Sequence, residues 1–450
     1  MSNKFRAGTL AIAVGLALGT APTYAEENQG VEEEVERIAV VGSRAAPRSV
    51  AESPVPVDIV GGDELGKSAS SDMLDMLQGA VPSFNVRQQP ISDAATLIRP
   101  VNLRGLSSDS TLILLNGKRR HRASVIAFQG GGVNDGAQGP DISVIPGVAL
   151  KQVEVLRDGA AAQYGSDAIA GVMNFVLKDD ADGGSLSVKH GEYYEGDGTS
   201  TIVDGNIGLP FTDDGFANLS FQLKNADATS RSVQRPDAQG LIDAGNTHVP
   251  DPAMIWGNPE IKDDITLFGN VGLDLGNDKE FYMFGNYSER DAEGGFYYRN
   301  PHTRGTVYSL DDGASLLVGD LTPGPVGQVN TGLGVGDGIS CPTIPITTGN
   351  VTTQADYIAG VANDPNCFAF NEMIPDGFTP NFGGNITDTS LTIGTKGEFT
   401  DGALAGILYD FSGSVGRSES SFLIFNTINA SLGPDTPRDF APGKYIQLEK

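Results

Sequence analysis

From residue 184 onward the chain alternates apolar and polar residues at period two over long stretches. Ala217, Leu219, Phe221 and Leu223 interleave with Asn218, Ser220, Gln222 and Lys224, and Ile265, Leu267, Val271 and Leu273 repeat the pattern. Ala405, Ile407, Tyr409, Phe411 and Val415 stand against Asp410, Ser412 and Ser414. Such strands carry one apolar and one polar face. A barrel with lipid outside and water inside requires that pattern, although a soluble β-sandwich also alternates. Connection lengths separate the two. Strands are expected at 184–193, 199–209, 216–226, 262–275, 280–290, 389–400 and 404–418. The links after the second, fourth and sixth are short. Those after the third and fifth are long, and on that side only the first is short. Short turns at one end and long loops at the other are the outer-membrane arrangement. A structureless connection as long as 291–388 argues against a compact soluble domain. Cys341 and Cys367 share this loop, where a disulfide would restrict the unfolded ensemble by roughly 3 kcal/mol. Phe296-Tyr297-Tyr298 reads equally as an upper aromatic girdle or as loop aromatics.

Composition narrows the function. The formal net charge of -27 disfavours nucleic acid as a partner. The basic run Lys118-Arg119-Arg120-His121-Arg122 is expected to be a solvated loop, with a rim facing an anionic ligand as the second option. No run of 18 apolar residues exists, so no helical membrane span is expected. Two cysteines without a CxxC, and four scattered histidines, give no metal site and no cofactor. Gly130-Gly131-Gly132 lacks the Lys-Ser/Thr ending of a phosphate loop. Gly165-Ser166-Asp167 is not a hydrolase elbow, and no catalytic set stands out, so no enzyme is expected.

The N-terminus reads as processed. Lys4 and Arg6 precede the apolar stretch 7–19, and Thr23-Tyr24-Ala25 supplies small residues for cleavage, which makes 1–25 a secretory signal peptide. Residues 26–36 contain six glutamates and cannot bury a core. The β-prone run Arg37-Ile38-Ala39-Val40-Val41-Gly42-Ser43 follows, suited to pairing with a partner's sheet edge. Pro54 to Val60 is extended. Residues 71–77 form a helix, capped by Ser70 or Ser71 and stopped by Pro82, with Met73, Leu74, Met76 and Leu77 on its core face. Thr111 to Leu115 is a buried strand followed by the hairpin signal Asn116-Gly117, and a Gly-rich loop spans 129–140. Residues 152–178 read as strand, Gly/Ala-rich turn, strand, with Val153 and Val155 alternating about Glu154 and glycines at 159, 165 and 171.

Two of these stretches carry a resemblance. VEVLRDGAAAQYGSDAIAGVMNFVLK (153–178) and VNLRGLSSDSTLILLNGK (101–118) resemble the plug signatures of TonB-dependent outer-membrane receptors. The resemblance covers 1–178 by motif and 184–450 by pattern only. It implies an α+β plug domain followed by an antiparallel transmembrane β-barrel, incomplete here with about 7 of an expected 22 strands. The implied divisions are the signal peptide 1–25, an acidic arm 26–49, a plug 50–178 and the first part of the barrel at 184–450. Glu36, Arg37, Ile38, Ala39, Val40, Val41, Gly42 and Ser43 resemble the TonB box, through which TonB, the energy-coupling protein of the inner membrane, would pull. The resemblance implies no signalling domain ahead of it, since only about ten residues would separate it from the signal peptide. The plug signature falls on Arg104, Gly105, Asn116, Gly117, Arg157, Asp158, Gly159, Tyr164, Gly165 and Gly171. Arg104 and Arg157 resemble a charge lock whose glutamate partners lie in later barrel strands, unplaced in this sequence. Asp158-Gly159 departs from the family's Gly-Pro. The implied function is active uptake of a scarce ligand, by default a ferric siderophore, across the outer membrane of a Gram-negative bacterium. Seven strands cannot close around such a plug, so the sequence is expected to be the N-terminal portion of a longer receptor or the product of a truncated gene. A passive channel, a secreted adhesion protein and a surface hydrolase are the rival classes. Ligand contacts are not legible.

Overall fold

The computed structural model describes residues 38–39, 48–49, 57–66, 68, 70, 72–86, 91, 94–127, 132–157, 160–310, 313–321, 341–346 and 355–450. Two short strands, β1 (Ile38–Ala39) and β2 (Arg48–Ser49), pair antiparallel. The plug sheet is built from β3 (Val57–Gly61), β6 (Thr111–Leu115), β7 (Lys118–Arg119), β8 (Leu150–Leu156) and β9 (Gly171–Leu177), in the order β3-β8-β9-β6-β7. Only β6 and β9 run parallel; the other pairs are antiparallel. A small ladder, β4 (Phe84–Val86) with β5 (Val101–Leu103), lies beside it.

Thr111 to Leu115 is buried at every position, as a strand covered on both faces must be. Asn116 and Gly117 both take positive φ (47° and 76°) and turn β6 into β7, which is the conformation a two-residue hairpin demands. The helix Met73–Ala80 buries Met73, Leu74, Met76 and Leu77. Its cap differs from the sequence reading: Asp72, not Ser70 or Ser71, accepts the Leu74 amide at 2.8 Å. Between β8 and β9 the expected turn contains a short helix, Ala160–Tyr164, and a 3-10 turn, Ser166–Ala168.

The rest of the chain is an eight-stranded antiparallel meander. Its strands are β10 (Gly184–Gly191), β11 (Ser200–Pro210), β12 (Gly215–Ala226), β13 (Glu260–Gly276), β14 (Lys279–Gly295), β19 (Asn381–Glu398), β20 (Leu408–Phe425) and β21 (Phe440–Glu449). The sheet is open, with β10 and β21 at its ends. Seven strands were expected; β21 is the eighth. Pro442 and Gly443 interrupt its alternation, and Gly443 takes φ 147° where the β20–β21 register shifts. The last two expected strands are also displaced. Asn381 to Asp388 extends β19 upstream, and Ala405 and Ile407 lie in the turn before β20.

The alternation has the predicted sense. Leu186, Val188, Leu219, Leu267, Leu391 and Ile393 are exposed, while Asn206, Asn218, Ser220, Thr266, Asn270 and Ser288 are buried. The polar face is the one that meets the plug. Phe268, Tyr282 and Phe284 of the sheet join the main plug core, and Ala292, Ile386 and Phe422 pack on plug residues Leu97, Ile98 and Val125. Among the described residues, no helix is long and apolar enough to cross a membrane.

The β14–β19 connection is not structureless. It holds the hairpins β15 (Ser309–Leu310) with β16 (Ser315–Leu316) and β17 (Gly319–Asp320) with β18 (Cys367–Phe368), and the helices Ala355–Ala362 and Phe370–Met373. Leu316, Ile344, Val361, Cys367 and Ala369 form one small core; Tyr308, Phe368, Phe370 and Phe378 form another. The Cys341–Cys367 disulfide, with Cα atoms 5.7 Å apart, ties this insert together. Phe296 and Tyr298 are buried in loop packing, Tyr298 beside Leu241 and Val249, so these two serve the loop core and not a girdle.

Candidate functional site

The plug signature residues converge on tight backbone geometry. Arg104 and Gly105 both have positive φ (56° and 73°) and form a turn closed by the Leu106 amide on the Leu103 carbonyl at 3.1 Å. Asn116 Oδ1 accepts the Leu177 amide, and Asn174 Oδ1 accepts the Gly117 amide, both at 2.8 Å. The two asparagines thereby splice the hairpin onto β9. Gly171 (φ 148°) admits no side chain, because a Cβ there would lie 2.5 Å from the Leu156 carbonyl oxygen. Gly165 (φ 92°) opens the 3-10 turn, and Tyr164 packs against a cluster that includes Val57 and Val172.

Arg104 Nη1 donates to the Arg157 carbonyl at 2.8 Å, and Arg157 pairs with Asp58 of β3. The contacts described for these two arginines therefore lie inside the plug. Asp158 and Gly159 fall outside the described residues, as do Glu36, Arg37, Val40, Val41, Gly42 and Ser43. Of the arm motif, Ile38 and Ala39 are described, paired with Ser49 and Arg48.

Several of the charged groups that join plug to sheet come from the stretch expected to be a solvated loop. Arg120 and His121 are buried. Arg120 Nη2 donates to Asp388 Oδ1 at 2.5 Å, and Arg120 Nη1 donates to Asn286 Oδ1 (2.8 Å) and Ser390 Oγ (2.7 Å). His121 Nε2 lies 2.9 Å from the other Asp388 oxygen. Gly416 of β20 leaves the His121 ring its space, since a Cβ would approach within 2.2 Å. The two charged side chains, Arg120 and Asp388, are 2% and 1% exposed, so each relies on the other for its desolvated charge.

A second buried pair crosses in the opposite sense. Arg290 of β14 donates to Asp141 of the plug at 2.7 Å and to the Leu97 carbonyl at 3.1 Å. Asp141 Oδ1 is held by the Ser143 amide and hydroxyl. Nearer the short-turn end, Lys118 Nζ meets Asp410 at 2.7 Å, and Tyr282 donates to the same carboxylate at 2.6 Å. Ser124 bonds Ser418 and Ser420. The described links from plug to sheet thus fall on residues other than Arg104 and Arg157, where the sequence had not signalled them. For those at Lys118, Arg120 and His121, the density of charge in 118–122 is the one signal that could have marked them.

On the side of β12 to β14 the plug stands off the wall. A cavity of about 440 Å³, lined by both polar and apolar side chains, lies between Asp72, Asp75 and Arg99 of the plug and Lys224, Asp264 and Arg290 of the sheet. Asp72 is ion-paired with Arg99. Burial raises its pKa, but Arg99 and the Leu74 amide outweigh burial and hold it at about 2.

A sequence profile described as "TonB-dependent Receptor Plug Domain" matches residues 49–172. The ferric enterobactin receptor PirA of Pseudomonas aeruginosa is 29% identical over 199 residues, 42% of this chain and 26% of that protein. The rhizobactin receptor of Rhizobium meliloti is 25% identical over 293 residues, 64% of this chain and 35% of that protein. The chain therefore spans about a third or less of the length of these curated relatives. Among solved structures, a mutant ferric enterobactin receptor of P. aeruginosa in complex with enterobactin superposes with TM-score 0.49 at 16% identity, over 87% of this chain and 45% of that one.

Proposed function

Because the chain belongs, through its plug, to the TonB-dependent receptor family, we propose that it is the N-terminal part of an outer-membrane receptor for active uptake of an iron–siderophore complex. The observation that carries this reading is the buried pairing of Arg120 with Asp388 inside a sheet whose outer face is apolar. A plug held in that way obstructs passive flow, so passage needs work done on the plug. The chain's relatives include receptors for ferric enterobactin and rhizobactin, which supports a siderophore as cargo without choosing one.

In this reading, ligand binds between the plug and the long loops. The arm around residues 36–43 pairs with a strand of TonB, as an extended segment pairs with a sheet edge. The β1–β2 ladder would have to give way to that pairing. Pulling on the arm acts on the plug through β3, the first strand of its sheet. Arg104 and Arg157 meet their remaining partners in strands beyond those described. In full-length receptor, deleting residues 36–43 is expected to abolish energy-dependent uptake of iron chelate while leaving ligand binding at its original affinity. Uptake that persists after the deletion would make the protein a passive channel; binding lost with the arm would remove its role as a coupling element.

A further inference from the structure

Three long connections leave the same end of the meander: 227–259 after β12, 296–380 after β14 and 426–439 after β20. They converge on six residues of the second, 374–379 (IPDGFT). From within the second connection, Tyr298 donates to the Asp376 carbonyl at 2.5 Å and Tyr308 to the Ile374 carbonyl at 2.9 Å. Burial pushes both phenol pKa values up, so the hydroxyls remain donors. Arg299 and Phe378 exchange backbone hydrogen bonds at 2.7 and 3.3 Å. From the first connection, the Ala253 carbonyl accepts the Thr379 hydroxyl, and His248 lies 3.4 Å from the Asp376 carboxylate. From the third, Asn426 Nδ2 donates to the Thr379 carbonyl at 2.8 Å, and the Arg438 guanidinium lies 5.5 Å from the centre of the Phe378 ring.

Apolar packing follows the same plan. Tyr298 of the second connection shares a core with Leu241, Val249 and Ala253 of the first. Ile428 and Ala430 of the third pack on a core that holds Tyr308, Phe370 and Phe378 of the second. Among the described residues, neither core includes one from the plug. At the centre, Gly377 takes φ 74°, and a Cβ there would lie 2.3 Å from the Arg299 carbonyl oxygen and 2.8 Å from the Tyr298 hydroxyl. Glycine alone suits both that backbone and that space. A single loop buries little and opens at small cost, whereas segments that share a core open as one cooperative unit.

We propose that the three connections form one lid, fastened at 374–379, which opens and closes as a unit and not loop by loop. Full-length receptor in detergent, with no cargo present, would be followed by amide hydrogen exchange and mass spectrometry. Gly377→Ala is expected to speed exchange about tenfold at the protected amides of all three connections, while β10 to β14 keep their wild-type rates. Asn426→Gly keeps the left-handed backbone at that position (φ 51°) and removes the bond to Thr379. It should speed exchange about threefold, in 227–259 as well as in 426–439. Gly360→Ala is the control, since an added Cβ in the helix Ala355–Ala362 meets nothing within 4 Å, and should leave all three connections at wild-type rates. The proposal is overturned if Gly377→Ala or Asn426→Gly speeds exchange in its own connection only, or if Gly360→Ala acts as Gly377→Ala does. Should Gly377→Ala loosen the sheet as well, the spread of the Asn426→Gly effect decides. Uptake is scored separately: uptake that ignores residues 36–43 would sink the receptor reading and leave the lid standing.

Discussion

At the scale of single residues, the molecule depends on a few charges removed from water. Asp388 accepts from Arg120 and Asn286 and faces His121, so its loss strands a buried guanidinium. Asp388→Ala is expected to destabilise the full-length receptor by about 3–5 kcal/mol, whereas the joint change Arg120→Met with Asp388→Leu should cost far less. Denaturant titration of both variants checks this, and equal costs would refute it. Asp72 offers a test by pH. Its folded pKa is depressed to about 2, so the stability it contributes is complete above its unfolded pKa and is lost as pH falls from about 4 towards 2. That loss should amount to about 2 kcal/mol and disappear in Asp72→Asn, measured as the acid dependence of thermal unfolding. Neither residue was legible as special in the sequence. Burial is a tertiary property, and Arg120 looks no different from Arg119, which stays half-exposed and pairs with Asp167 at 2.5 Å.

At the scale of elements, structure is legible in the sequence where one local rule governs and not where two compete. Asn116-Gly117 specifies its turn unaided, and the apolar run of β6 fits only a buried strand. The strands β10 to β14 lie within a few residues of their expected places because alternation runs through most of each, despite register shifts near the ends of β13. β21 was missed because Pro442 and Gly443 mimic a loop, although a strand at the end of a sheet tolerates both. The β14–β19 insert was read as structureless because its elements are short, and only their mutual packing stabilises them. The disulfide is the covalent part of that packing. Cys341→Ser is expected to loosen the insert by about 3 kcal/mol and to open 296–380 to proteolysis, while the strands on either side stay protected. Digestion followed by mass spectrometry checks it; cleavage spread evenly into the sheet would show that the insert is not a separate unit.

At the scale of the whole molecule, two amphipathic bodies share a boundary that is mainly polar, with apolar contacts at Phe268, Phe284 and Phe422. The plug turns polar and charged groups outward, the sheet turns them inward, and ion pairs fasten the two while lipid-compatible side chains remain on the outside. The broad architecture was legible because both patterns are periodic or motif-bound. The registration of plug against sheet was not, since it depends on partners far apart in sequence. Arg120 and Asp388 are separated by 268 positions, with five strands of the sheet threaded between them. The plug's arginine is synthesised long before its counter-ion, and must stay hydrated until β19 is laid against β14. Assembly thus carries its own checkpoint: an intermediate that stalls before β19 has, of the two buried ion pairs, only Arg290–Asp141 of β14 and leaves the Arg120 cation wet, and only a chain that has paired the later strands completes the second fastening.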